Sequence, residues 1–277
     1  MINVLKLELK SCMKRKEIHF VLSFLILLSV AAFIAESIPF YESNMRFIRS
    51  AYETTILQGV YANPFRNTLL FIIPLVAATV FSDSFFIDYR MGVYKNILTR
   101  SDKKTYLIAK YIVTFIMTFM VFFIGLLINQ LLCFITFPLN GFDNNSSLPP
   151  YDIGLQNFNN KALFDLLRLE SPLFYNLTFI FIISLFAGLI SLVTYSVYFL
   201  CLNKNRIIGI MSIFIIYIVI NIGLPILGLN EFSLFNQLNP GHEGNFIQMI
   251  VWIVVLLFIS FYILITKGIK SEWELED

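Results

Sequence analysis

Within ten residues the chain sets Asp83, Phe85, Phe86, Asp88, Tyr89, Arg90 and Gly92, and it follows them with Lys95, Arg100, Lys103 and Lys104. Aromatic rings and lysines of this kind suit an interfacial segment, with rings at headgroup level and ammonium groups toward anionic lipid. The two aspartates do not: an anionic surface repels them, and they are better placed against a protein partner. Residues Asp83 to Arg90 make about two helical turns, with Phe85 and Tyr89 one turn apart and Asp83 available to cap the start. Gly92 permits a reversal, after which Tyr94, Ile97 and Leu98 recur at helical spacing. The chemistry on offer is recognition, by a short helix with one aromatic and one charged side.

The elements that must position this stretch are membrane helices. Of 277 residues, 58% are hydrophobic and 14% charged, far below the roughly 25% charge of soluble domains. Six segments approach the roughly 20 apolar residues that a span requires: Ile18 to Ile38, Thr68 to Ser82, Leu107 to Phe137, Tyr175 to Cys201, Ile207 to Leu229 and Phe246 to Thr266. The second is the shortest and extends back toward Pro64. The first apolar run is too long for a signal peptide and ends without a small-x-small site, so it reads as an anchor. The fold class is therefore an all-α polytopic membrane protein in a single domain.

Lysine and arginine fall mostly on one side of these spans: Lys6, Lys10, Lys14, Arg15 and Lys16 before the first, the 83–104 loop after the second, Lys204 and Arg206 after the fourth, and Lys267 and Lys270 at the end. The positive-inside rule then predicts that both termini and the 83–104 loop are cytoplasmic. The 138–174 connection is extracellular, and within it Leu163, Leu166 and Leu167 predict a small helix with Asn160 as its cap and Pro172 as its stop. Residues 1–17 place Ile2, Leu5, Leu9 and Cys12 on one face and Lys6, Lys10 and Lys14 on another, as an amphipathic helix on the inner leaflet requires.

The stretch "DYRMGVYKNILTRSDKKTYLIAK" resembles the loop between the second and third helices of type-2 ABC transporter permeases. The six-span plan with both ends inside and the amino-terminal helix resemble that family too, over nearly the whole chain. The resemblance implies that Asp83 to Gly92 is a coupling helix that docks on a separate ATPase subunit, with Phe85, Phe86 and Tyr89 as packing knobs and Asp88 and Arg90 as polar contacts. Tyr89 and Met91 stand where the family's E-R-E-x-G pattern carries charged residues. It further implies two ATPase copies carrying ATP and Mg, a second permease chain, identical or related, and a place in a bacterial cytoplasmic membrane. Small permeases of this appearance resemble those for export of, or immunity to, antimicrobial peptides, so the implied cargo is such a peptide or another amphiphile.

The residues themselves narrow the alternatives. No GxxxxGK[ST] loop occurs, so any ATP must bind another polypeptide, and this chain is expected to hold no cofactor. HExxH is absent, and His19 and His242 fall on opposite sides of the membrane, which argues against a metal site. Cys12, Cys133 and Cys201 lack metal-ligand spacing. A net charge of +2 gives no field for nucleic acid. No Asp, Glu, Lys or Arg is expected deep in a span, Glu36 lying near an outer end, which argues against ion-coupled transport, and the lack of nucleotide-binding and catalytic motifs argues against this chain being an enzyme. Asn129, Gln130 and Asn221 are the candidates for a translocation pathway, weighed against plain interhelical hydrogen bonding. Leu234 to Gly244, with Pro240 and Gly241, is a candidate for a dip back into the membrane. The rival function is a non-transporting scaffold or sensor that binds a ligand through the 138–174 loop and recruits a cytoplasmic partner.

Overall fold

The computed structural model describes residues 1–43, 48–99, 101–139, 158–202 and 205–271. Six of its helices are long and apolar enough to cross a membrane, the architecture of a multi-pass membrane protein. In chain order the α-helices are α1 (Ile2–Met13), α2 (Lys16–Ser37), α3 (Asn63–Val80), α4 (Ser84–Arg90), α5 (Val93–Leu98), α6 (Lys103–Thr136), α7 (Asp165–Glu170), α8 (Pro172–Val197), α9 (Arg206–Ile226), α10 (Leu234–Leu238) and α11 (Phe246–Ile263). Lys204, Arg100, residues 140–157 of the 138–174 connection and the acidic tail lie outside the described residues.

Local chemistry sets these boundaries. Pro64 in the first turn starts α3, where a missing N–H is harmless, which is why the second span begins earlier than Thr68. Pro172 opens α8 in the same way and marks the stop of α7. Asn245 caps α11, its side chain accepting the Ile247 N–H at 2.9 Å. Pro225 falls in the last turn of α9, and Gly228 leaves it at φ +77°. The expected cap at Asn160 is not made: α7 starts at Asp165 from a left-handed Phe164, and Asp165 is held by Arg168 at 2.6 Å.

α8 is the centre of the bundle, buried nearly all round from Tyr175 to Ser196. α6, α3 and α11 pack against it, and α2 packs on α6. The closest approaches use glycine: a Cβ on Gly125 of α6 would lie 2.8 Å from Leu25 of α2, and one on Gly188 of α8 would lie 2.8 Å from the Phe115 ring of α6. By contrast α9 and α11 keep long apolar faces exposed, including Ile215, Val219, Ile222, Val254 and Phe258. That is the surface expected where lipid is the solvent.

The amino-terminal helix does more than lie on a surface. Leu5 and Leu9 pack on the main core, and Glu8 and Cys12 are buried, while Lys6, Lys10 and Lys14 stay exposed. α1, α4 and α5 gather at one end of the bundle, called here the basic end.

Candidate functional site

At the basic end α3 stops at Val80 and the chain turns through Phe81 into α4. Asp83 stands at the cap position but makes no capping hydrogen bond. It is 1% exposed and bridges two arginines instead: Arg15 Nη1 donates to Oδ1 at 2.8 Å, and Arg206 Nε pairs with Oδ2. Arg206 also reaches Glu17 at 3.3 Å. Burial lifts the Asp83 carboxyl above the ordinary aspartate range, and the two guanidiniums offset only part of that.

A second charged cluster adjoins it. Lys110 of α6 is 2% exposed, and its Nζ lies 2.9 Å from Glu8 and 2.8 Å from Asp88. The Tyr106 hydroxyl donates to the same Asp88 oxygen. The Phe81 ring joins the two clusters, with the Arg15 guanidinium 4.6 Å and the Lys110 ammonium 5.4 Å from its centroid. Lys110 stands one turn inside the expected third span, where two carboxylates and a hydroxyl compensate the ammonium inside the protein. Arg66, just ahead of the expected second span, falls in the first turn of α3 and is 7% exposed.

The aromatic residues of α4 turn inward. Phe85 is fully buried and stacks on Phe199 at 4.7 Å, and Phe86, 5% exposed, packs on Tyr198 at 5.2 Å. Tyr89 stacks on Tyr94 of α5 at 5.2 Å. Phe85 and Phe86 are thus knobs into this chain's own bundle, and the expectation that they project into a partner does not describe this conformation. Arg90 lies over the Phe86 ring at 5.3 Å. Gly92, at φ +68°, makes the reversal between α4 and α5 that an L side chain would resist. The outward surface of this hairpin carries Arg90, Met91, Val93, Lys95, Asn96 and Thr99, and a groove of about 610 Å³ runs between α5 and α1 along Asn3, Val4, Leu7, Asn96, Ile97 and Thr99.

At the opposite end Asn129 and Gln130 are brought together with Asn176 of α8. Asn129 Oδ1 accepts the Ile56 N–H at 2.7 Å, and its Nδ2 donates to the Ser29 carbonyl at 2.8 Å. Gln130 Nε2 donates to the Ala51 carbonyl at 3.1 Å, while its Oε1 accepts from Asn176 at 2.8 Å. Asn176 also donates to the Tyr52 carbonyl at 2.8 Å. Glu36 completes the arrangement, its Oε2 accepting the N–H groups of Tyr61 and Ala62 at 2.9 and 3.0 Å.

Asn221 is elsewhere. Its Oδ1 accepts from the Ser233 hydroxyl and the Phe235 N–H, so it fixes the entry to α10. The α10 segment is buried at Leu234, Gln237, Leu238 and Asn239, and Asn239 reaches Asn67 of α3 at 3.2 Å. Asn221 also lines an apolar cavity of about 300 Å³ among α8, α9 and α11, whose walls include Ile190, Val193, Ile213, Tyr217 and Trp252.

Sequence reasoning missed Glu8, Arg15, Lys110, Arg206 and Asn176. One signal was present for Glu8: it falls on the apolar face of α1, between Leu5 and Cys12, where an acid is out of place without a buried partner. No family model, no curated protein and no solved structure matches this chain.

Proposed function

We propose that this chain is the membrane subunit of an ATP-driven exporter of the type-2 ABC permease kind, acting with a second permease chain and two copies of a separate ATPase in a bacterial cytoplasmic membrane. The basic end faces the cytoplasm in this reading, in keeping with Lys6, Lys10, Lys14, Lys103 and Lys104 at that end. The cargo is an amphipathic peptide or similar lipophilic compound, which suits the apolar cavity walled by Ile190, Ile213 and Trp252.

The observation that carries the reading is the α4–Gly92–α5 hairpin and its attachment. Asp83 and Asp88 tie it by ion pairs to Arg15 at the start of α2, to α6 and to the start of α9. A force applied to the hairpin by an ATPase is thereby delivered to three membrane-facing elements at once. ATP can shift the equilibrium between inward and outward states only if those contacts differ between the states.

The test is affinity purification of the intact chain in mild detergent, with ATPase activity assayed on the eluate. A variant carrying Met91→Asp and Lys95→Glu alters the outward surface without touching the ion pairs. The reading expects a second polypeptide with ATPase activity to follow the native chain and to be lost from the variant. Native chain that carries no ATPase, or a variant that retains it fully, would overturn it.

A further inference from the structure

Residues 50–62 form turns but no helix, yet Ala51, Thr54, Thr55, Ile56 and Leu57 are at most 2% exposed. Their partners lie well inside the bundle. Asn129 precedes the end of α6 at Thr136, and Asn176 follows the start of α8 at Pro172, so at 1.5 Å per residue the segment's partners lie about 6 to 10 Å below the helix ends. Irregular backbone is tolerated at such depth only where protein groups satisfy it. Here those groups are side chains of the surrounding helices.

Arg66 meets the Leu57 carbonyl, Cys133 the Thr54 carbonyl and Glu36 the N–H groups of Tyr61 and Ala62, and the deepest contacts share one chemistry. Asn129, Gln130 and Asn176 are uncharged carboxamides, and each meets a main-chain group: the Ile56 N–H, the Ala51 carbonyl and the Tyr52 carbonyl. A carboxamide offers both donor and acceptor, which is the complement of a peptide bond. A purely apolar ligand in the same place would leave the carboxamides unsatisfied. The amide pattern that fits is that of polypeptide main chain, which residues 51–58 present in successive turns, and the Gln58 side chain adds a hydrogen bond from its Nε2 to Asn176 Oδ1 at 2.7 Å.

We propose that Asn129, Gln130 and Asn176 form a binding site for polypeptide main chain, that residues 51–58 occupy it as a tethered internal ligand, and that a peptide cargo competes with them for it. The cargo part of this rests on the exporter reading above. The segment is held to its surroundings by side-chain hydrogen bonds and by the Ala51 N–H donating to the Pro138 carbonyl at 2.8 Å, and turns such as Gly59 N–H to the Thr55 carbonyl are closed within it, so it can leave without unravelling a helix or sheet ladder.

The probe is a fluorescein-labelled peptide of the chain's own sequence, SAYETTILQ, with binding to the full chain in nanodiscs read by fluorescence anisotropy. A tethered ligand that occupies the site nine-tenths of the time lowers apparent affinity about tenfold. Replacing residues 51–58 by a Gly/Ser linker of equal length should therefore tighten peptide binding by at least about that factor. Adding Asn129→Leu and Asn176→Leu should abolish it. No tightening in a folded linker variant, or binding that survives loss of the carboxamides, overturns the proposal. Should the linker variant not fold, hydrogen exchange of the native chain decides: excess peptide should speed exchange of the Ile56 amide while leaving α8 unchanged, and an unaltered Ile56 amide overturns the proposal. None of these measurements involves an ATPase, so their failure and that of the co-purification test are separate results.

Discussion

Lys110 of α6 is ion-paired at 2.9 Å with Glu8 of α1, a residue 102 positions earlier in the chain. The pair fastens the amino-terminal helix to the longest helix of the bundle, and Asp88 on the same ammonium fastens α4 beside it.

Lys110→Met leaves two carboxylates without their cation in a buried setting, and removing one partner of a buried ion pair typically destabilises by about 3 to 5 kcal/mol. Glu8→Gln should be milder, because Asp88 still faces the ammonium. Thermal unfolding in detergent, followed by circular dichroism, checks the order. A Glu8→Gln loss as large as that of Lys110→Met would contradict the shared-cation geometry.

Asp83 gives stability a distinct pH dependence. Its carboxyl is raised in the folded chain by burial, against the pull of Arg15 and Arg206. The folded state therefore holds the proton more tightly than the unfolded state. That contribution is complete below the unfolded value of about 3.9 and is lost as pH rises through the elevated folded value. The melting temperature of the native chain minus that of Asp83→Asn should fall as pH rises above about 4. A difference that grows with pH would mean that the arginines outweigh burial.

Cys12 is fully buried against the bundle, and burial pushes its thiol up to about 12. Thiolate is the reactive form, so N-ethylmaleimide at neutral pH should modify the partly exposed Cys201 well before Cys12 in the folded protein, and both after denaturation. Peptide mass spectrometry reads the sites. Early labelling of Cys12 would show that α1 leaves the bundle in solution.

Gly92 is held at φ +68°, and a Cβ there would meet nothing within 4 Å. Substitution is thus a pure backbone effect. Gly92→Ala should destabilise by about 1 kcal/mol and Gly92→Asn by less, since asparagine tolerates the left-handed region. Denaturant titration distinguishes them, and equal losses would place the cause outside the backbone angle.

The six long helices were legible in the sequence because length and hydropathy are local properties, and the turn at Gly92 was legible because glycine takes the left-handed region without strain. The direction of the α4 aromatics was not: Phe85 and Phe86 turn inward toward Phe199 and Tyr198, residues more than 100 positions away, and nothing near Phe85 announces them. The burial of Lys110 was not legible either, since its partners Glu8 and Asp88 sit in two other helices, α1 and α4. The buried course of residues 50–62 was hidden for a related reason. "SAYETTILQGV" has the polarity of a surface loop, and its burial is made tolerable by distant side chains, the carboxamides of α6 and α8 among them.

α6 runs unbroken for 34 residues from Lys103 to Thr136, with no proline in it. Lys110 and Asn129 stand on it about 29 Å apart at the usual rise, one in the charged cluster and the other beneath residues 50–62. A stiff rod of this kind needs no relay of side chains to carry a displacement. If it slides or tilts as one body, the hairpin at one mouth and the carboxamides at the other move in the same instant, and the two ends of the bundle are mechanically a single part.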